Sequence, residues 1–179
     1  MALAHTEIKD RFHLNLGRMV HATSLLDFNI GIALGWMGEY SGEDHTDLLV
    51  GTTPLAARLK ALQPIMVKMY EAAGKEAIAE IEAWFSKACG LKAIRNDYVH
   101  ARWGLPGDSD TDDAVLTMLP MNWNFNSDQE AISSDVKLSA FGEQCASIEK
   151  LSGQFFELQK KYAKWCRAAV TPLSSKARS

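Results

Sequence analysis

Apolar residues recur every three or four positions over residues 7–38, and this spacing constrains the fold more than any other feature of the chain. Residues at this spacing lie along one face of an α-helix, so the segment is predicted to form a long helix with one buried face. Thr6 is suited to cap its first turn. The residues predicted to form the buried face are Ile8, Phe12, Leu16, Met19, Thr23, Leu26, Ile30, Ala33 and Met37.

Three later segments show the same helical periodicity. The second helix is expected to begin after a Thr53 cap and to end at Gly74, with Pro64 kinking or splitting it. The third follows at once, is interrupted by Gly90 and then continues. The fourth is expected to begin at a Ser139 cap. Its predicted buried seam consists of Phe141, Cys145, Ile148, Ser152, Phe155, Leu158, Tyr162, Trp165 and Ala169.

The chain between the third and fourth helices has a different pattern. Residues 104–113 are rich in turn formers, whereas residues 114–119 and 132–138 have strand character. We therefore predict a mainly α protein, an antiparallel bundle of about four long helices with a small β-hairpin insertion before the last helix. The prediction also includes the domain organisation, namely a single domain over residues 1–170 and a flexible tail over residues 171–179.

Composition restricts the class of protein. The formal net charge of the 179 residues is −3, so a protein that coats nucleic acid is disfavoured and any RNA contact must be local. The three cysteines are too few and too widely spaced for a disulfide framework, and a reducing cytoplasm is the simplest setting. The longest apolar stretch, residues 28–37, is shorter than the ~20 residues of a membrane span, so no membrane partner is expected.

Residues 95–100, with the sequence RNDYVH, concentrate groups that are suited to chemistry. Arg95 is a permanent cation that binds phosphate oxygens, and His100 is a side chain that transfers protons near neutral pH. Asn96 can orient either group by a hydrogen bond. Five positions on a straight helix correspond to about 140° of rotation and ~7.5 Å of rise. Arg95 and His100 therefore reach one pocket if the arginine uses its length, if the helix bends, or if two protomers contribute.

An arginine followed by a polar residue and, a few positions later, by a histidine resembles the motif of the HEPN superfamily, the higher eukaryote and prokaryote nucleotide-binding domains. Members of this family are compact α-helical bundles that usually dimerise. In the ribonucleolytic members, the motifs of two protomers meet and form one composite, metal-independent site. The resemblance implies that Arg95 and His100 assist attack by a ribose 2′-hydroxyl on the adjacent phosphate. It covers six residues, and the helical plan of the whole chain adds weaker support.

We therefore predict a metal-independent endoribonuclease that acts on RNA as a homodimer and needs no cofactor. A toxin or defence effector, with an antitoxin or another protein as its partner, is the role that such an enzyme would suit. His100 would transfer protons, Arg95 would stabilise charge on the phosphate and Asn96 would orient both. Trp103 and Trp123 flank the inserted ribbon and could stack on a base, but packing of the ribbon against the bundle is the favoured role for both. The other candidates for binding substrate are Asp97, Tyr98, Arg102 and Trp103.

Two other interpretations of the motif are open. A non-catalytic HEPN-like module would bind a nucleotide or a protein through Arg95 without cutting RNA. A purely structural motif would cap the end of a helix, since the positive charge of His100 favours a helix C-terminus. In that case a substitution at Arg95 or His100 would lower stability instead of activity.

No metal site is expected from the remaining polar residues. His13 and His21 are too far apart on the first helix for a pair of metal ligands. The acidic residues 108–113 lack the glycine and the distal glutamate of a calcium loop, so they are interpreted as an acidic turn. His45 and its acidic neighbours are interpreted as a solvated loop.

Overall fold

Four long helices make up most of the part of the chain that a computed structural model describes, namely residues 2–41, 53–111, 113–120 and 133–170. Side chains are described over residues 2–37, 53–91, 93–111, 113–120 and 133–165. Among these described helices, none combines the length and the apolarity that crossing a bilayer requires. The helices are α1 (His5–Ser41), α2 (Leu55–Tyr70, followed by a 3₁₀ turn at Glu71–Ala73), α3 (Lys75–His100) and α4 (Leu138–Val170).

A small antiparallel sheet precedes the last helix. It contains β1 (Arg102–Gly104), β2 (Val115–Leu119) and β3 (Ser134–Lys137) in the order β1-β2-β3. The predicted mainly α fold with a β insertion before the last helix is therefore confirmed. The insertion differs from the predicted hairpin because β1, which begins two residues after α3, pairs with β2 as a third strand. Trp123 and residues 171–179 lie outside the described residues.

The contacts divide the chain into two compact units. One, which we call the sheet unit, consists of Met1–Thr23 and Ala93–Lys150. The other, the helical unit, consists of Ser24–Lys92 and Leu151–Ser179. The sheet unit contains the three strands and the motif at residues 95–100. The single domain predicted over residues 1–170 stays a prediction.

The predicted inner face of α1 is confirmed, because all of its members except the half-buried Leu16 are buried. In the helical unit, α3 and α4 run antiparallel. The indole N–H of Trp84 donates to the carbonyl of Leu151 at 3.0 Å, and its ring lies 4.9 Å from that of Phe155. Each such buried side chain contributes roughly 1.5–3 kcal/mol to folding, so these seams are a main source of stability.

Proline and glycine affect the helices less than their local propensities suggest. Gly74 adopts φ 96° and ends the 3₁₀ turn after α2, as predicted. In contrast, α2 continues through Pro64 and α3 continues through Gly90 without a break, because both helices bury a face that outweighs the local cost. The predicted Thr53 cap is wrong: the N-cap residue is Pro54, and it makes no side-chain capping hydrogen bond.

Two aspartates of the acidic turn accept hydrogen bonds at the first turns of two distant helices. Asp108 Oδ1 accepts the backbone N–H of His5 at 3.0 Å, where α1 begins. The carboxylate of Asp113 accepts the backbone N–H of Ser139 at 2.8 Å and its hydroxyl at 2.6 Å, where α4 begins. The predicted caps Thr6 and Ser139 therefore lie inside their helices, and the first turns are capped by residues remote in sequence.

We expect Asp113→Ala to lower the free energy of unfolding by about 0.5–2 kcal/mol, because the first turn of α4 loses its acceptor. Urea unfolding followed by circular dichroism measures this difference. Asp110→Ala, at an exposed position of the same turn, is the matched control and should change stability by less than ~0.5 kcal/mol. Equal losses for the two variants would show that Asp113 is not an energetically significant cap.

Candidate active site

The motif forms the C-terminal end of α3 in the sheet unit. His100 is the last residue of the helix and is exposed. Arg95 and Asn96 lie more than one turn earlier and are half-buried, and Asp97 is exposed. Solvent therefore reaches the imidazole directly, whereas the arginine and the asparagine are partly held by their surroundings.

The structure brings Arg95, Asn96 and His100 into one hydrogen-bonded group. Nη1 of Arg95 lies 3.2 Å from Nε2 of His100 and donates to Oδ1 of Asn96 at 2.9 Å. About 140° of helix rotation separates Arg95 from His100, and the length of the arginine side chain spans this separation. Of the three possibilities that the sequence leaves open, the structure therefore has the first, in which the length of the arginine side chain brings it to His100 within one protomer.

The contact between Arg95 and His100 has the arginine as its donor. A guanidinium donates hydrogen bonds and cannot accept them, so the acceptor in this contact is the lone pair of Nε2 of His100. A lone pair at Nε2 is what a general base requires. Within the described residues, both hydrogen-bond contacts of Arg95 use Nη1, so they occupy at most two of the five guanidinium N–H donors. A bound anion can engage the others.

An aromatic cluster holds the last turn of α3 in place. It consists of Phe12 from α1, Tyr98 from the motif, Trp103 from β1 and Phe141 from α4. The ring of Phe141 stacks on Trp103 at 5.7 Å with 2° between the planes, and it lies 4.9 Å from Tyr98. Phe12 lies 5.4 Å from Trp103. Each such ring pair contributes about 0.5–1.5 kcal/mol to the stability of the fold beyond the burial of its side chains. The cluster therefore stabilises the end of α3 that carries the motif.

Trp103 also binds the helix end by a hydrogen bond. Its indole N–H donates to the carbonyl of Tyr98 at 2.9 Å, and this carbonyl is one of the four at a helix C-terminus that lack a helical partner. Burial raises the pKa of the Tyr98 phenol, and the nearby Asp97 carboxylate raises it further. Tyr98 therefore stays protonated at neutral pH.

The four residues predicted to bind substrate are placed differently. Tyr98 and Trp103 belong to the aromatic cluster, so both position the motif, whether or not they also meet a substrate. Asp97 is exposed beside the hydrogen-bonded group, and Arg102 is exposed at the start of β1. The sequence favoured packing for Trp103, and its ring contacts with Phe12 and Phe141 are of this kind. Its hydrogen bond to the end of α3 was not foreseen.

Metal ligands do not cluster in the described part of the chain. No group of three or more histidine, cysteine, aspartate or glutamate side chains there is placed to hold an ion. The Sγ of Cys145 is buried and donates to the carbonyl of Asn15 at 3.1 Å, and burial raises the pKa of this thiol. Cys145 is therefore a packed residue of the core and not a reactive thiolate.

A shallow groove of about 330 Å³ lies between α3 and α4 in the helical unit. Glu80, which lines the groove, accepts hydrogen bonds from the Lys161 ammonium at both carboxylate oxygens and from the Tyr162 hydroxyl at 2.9 Å. The groove is lined by Glu80, Ala83, Trp84, Lys87, Gln154, Glu157, Leu158 and Lys161. None of these residues belongs to the motif.

The stability of the helical unit depends slightly on the ionisation of the Glu80 carboxyl. The hydrogen bond from Lys161, followed by that from Tyr162, lowers the pKa of the Glu80 carboxyl below its ordinary value of 4.5. Because the Glu80 carboxyl has a lower pKa in the folded chain than in the unfolded chain, its ionised form stabilises the fold above pH 4.5. This stabilisation is lost as the pH falls through the pKa of Glu80 in the folded chain. The contribution is small because the ion pair is largely exposed.

We expect Glu80→Gln to lower the free energy of unfolding at pH 7 and to have little effect in strong acid, where the parent carboxylate is already protonated. Chemical unfolding at the two pH values measures the difference. Glu157→Gln is the matched control, because Glu157 pairs with Lys160 on the exposed surface of α4. The interpretation is wrong if the Glu80→Gln deficit is the same at both pH values.

No protein-family model, curated protein or solved structure matches the chain significantly. The likeness to the HEPN superfamily therefore depends on the motif and the helical plan alone. The geometry around Arg95, Asn96 and His100 is the basis on which a function can be argued.

Proposed function

We propose that this chain is a metal-independent, HEPN-like endoribonuclease that cleaves RNA as a homodimer. The observation that carries the proposal is the 3.2 Å contact between Nη1 of Arg95 and Nε2 of the exposed His100. Because these two groups are only 3.2 Å apart, they can contact the same phosphodiester. The imidazole can then accept a proton while the guanidinium binds the phosphate oxygens.

The chemistry assigns a role to each side chain. Nε2 of His100 takes the proton of a ribose 2′-hydroxyl, and the 2′-oxygen bonds to the adjacent phosphorus. The guanidinium of Arg95 moves from the imidazole to the phosphate oxygens and stabilises the charge that develops there. Asn96 keeps the guanidinium in reach through its 2.9 Å hydrogen bond. The bond from phosphorus to the 5′-oxygen then breaks, leaving a 2′,3′-cyclic phosphate.

The leaving 5′-oxygen needs a proton from the opposite side of the phosphorus, and one imidazole cannot serve both sides of an in-line displacement. In the composite site that the resemblance implies, the imidazolium of the second motif gives this proton. The net charge of −3 fits such an enzyme, since the binding of RNA is confined to a small cationic site.

The test is cleavage of a labelled single-stranded RNA by the purified full chain in the presence of a metal chelator. We expect products with 2′,3′-cyclic phosphate and 5′-hydroxyl ends, identified by mass spectrometry. The same oligonucleotide with 2′-deoxyribose at every position is the matched control and should stay intact. Intact RNA, cleavage that requires a metal, or cleavage of the deoxy control would overturn the proposal.

A further inference from the structure

Residues 24–37 of α1, in the helical unit, are apolar on two opposite faces. The only charged residue among them is Asp27, whose carboxylate pairs with the Arg58 guanidinium at 3.0 Å. One face is buried and belongs to the core, as predicted. The opposite face, which we call the α1 stripe, is exposed and consists of Leu25 (44% exposed), Phe28 (63%), Ile32 (43%) and Trp36 (77%).

The α1 stripe is too apolar to be an ordinary solvated surface. A helix that is hydrophobic all round is normally buried on all sides, whereas a surface helix has a polar outer face. From the exposed fractions and the typical areas of these side chains, the stripe presents roughly 400–500 Å² of apolar surface. A patch of this size is as large as the largest that a typical monomer exposes, and such patches are often functional.

We propose that the α1 stripe pairs with the same stripe of a second copy of this chain, with the two helices antiparallel. Complete burial of two stripes removes roughly 800–1,000 Å² of apolar surface from water, which approaches the ~1,000 Å² at which specific interfaces begin. The stripe carries no charge, so pairing it with itself brings no like charges together. A self-complementary apolar surface of this kind suits a two-fold interface, in which the same patch is used twice.

The stripe is close to symmetric about its midpoint, which lies between residues 30 and 31. In an antiparallel pair centred there, Leu25 lies opposite Trp36 of the second copy, and Phe28 lies within one residue, about 1.5 Å, of the level of Ile32 of the second copy. Each contact joins a large aromatic ring to a branched aliphatic side chain, and each occurs twice. A parallel pair would instead place the two Trp36 side chains against each other at one end and leave only aliphatic contacts at the other.

Lipid does not suit this surface. A helix that lies on a membrane presents a strongly charged, usually basic, face on its other side. The other face of residues 24–37 is the buried core face, and the single charge of the segment is the acidic Asp27. The inference does not rest on the proposed ribonuclease, because it is tested by molecular mass and not by cleavage.

Sedimentation equilibrium of the full chain at about 1–100 μM tests the pairing. We expect the parent to dimerise and Trp36→Glu to raise the dissociation constant of the dimer at least about thirtyfold, as loss of a large aromatic anchor does. Phe156→Glu, at a large exposed apolar residue of α4, is the matched control and should dimerise like the parent. Circular dichroism checks that each variant is folded.

A charge exchange tests the antiparallel register. Leu25→Lys and Trp36→Glu should each weaken the homodimer, and a mixture of the two variants should recover association because opposite charges then face each other. A parent that stays monomeric, a Trp36→Glu variant that dimerises normally or a Phe156→Glu variant that dissociates equally would overturn the proposed surface. Failure of the mixture to recover association would overturn the antiparallel arrangement.

Discussion

His100→Ala should reduce RNA cleavage by about 10²- to 10⁴-fold, the range that general acid–base catalysis contributes. The variant loses the only group in the motif that accepts a proton near neutral pH, and Arg95 loses its acceptor at Nε2. Because His100 is exposed at the end of α3, the free energy of unfolding should change by no more than ~0.5 kcal/mol. Single-turnover cleavage and urea unfolding measure the two quantities on the same preparation.

Two controls separate this prediction from the other interpretations of the motif. His21→Ala, at an exposed histidine of α1 in the same unit, should cleave like the parent. Arg95→Lys should retain part of the activity, since an ammonium keeps the charge but lacks the planar fork that binds phosphate. A His100→Ala variant that cleaves normally excludes the catalytic role, and one that is destabilised without a specific loss of cleavage favours the capping role.

Phe141→Ala should lower the free energy of unfolding by about 3–5 kcal/mol, the usual cost of removing a fully buried aromatic side chain. Phe141 is the common member of the aromatic cluster, with ring contacts to Phe12, Tyr98 and Trp103. Its removal leaves a cavity under the last turn of α3, so Trp103 loses the ring on which it stacks. Urea unfolding gives the change in free energy.

The matched control for Phe141→Ala is Phe156→Ala, a change of the same size at an exposed position on the same helix. This variant should lose about 1 kcal/mol or less. Phe141→Leu keeps most of the volume and should lie between the two. A loss at Phe141 no larger than at Phe156 would show that the cluster does not stabilise the end of α3.

Periodicity predicted the helices well because it reports a physical requirement, namely that one face of each helix is buried. The spacing from Ile8 to Met37 identified the core face of α1, and the seam that begins at Phe141 identified that of α4. Gly74 was identified as a helix terminator because its conformation, φ 96°, is one that other residues rarely adopt. These signals are local, so a single sequence contains them.

The features that the sequence did not predict have a different cause, because they depend on contacts between residues that are far apart in the sequence. Asp113 caps α4 from 26 residues away and Asp108 meets His5 from 103 residues away, and no local pattern reveals either pairing. Pro64 lies inside α2 although its ring disfavours a helix interior, because the buried face of the helix supplies more stability than the proline removes. β1 was missed because three residues are too few to show alternation.

The sequence predicted which residues form the candidate site, but it did not predict how their side chains are arranged. The residue types at positions 95, 96 and 100 indicated phosphate chemistry, but their spacing left three ways for them to meet. The α1 stripe was not identified, because the periodicity of α1 was interpreted only in terms of one buried face.

A double-mutant cycle on the cleavage rate tests the central claim most directly, which is that Arg95 and His100 act on the same phosphate as one unit. Arg95→Ala, His100→Ala and the double variant are compared with the parent under single-turnover conditions. The account predicts that the double variant cleaves about as fast as the slower single variant, because each substitution alone already disables the unit. If the two losses multiply instead, the guanidinium and the imidazole act independently and the claim is contradicted.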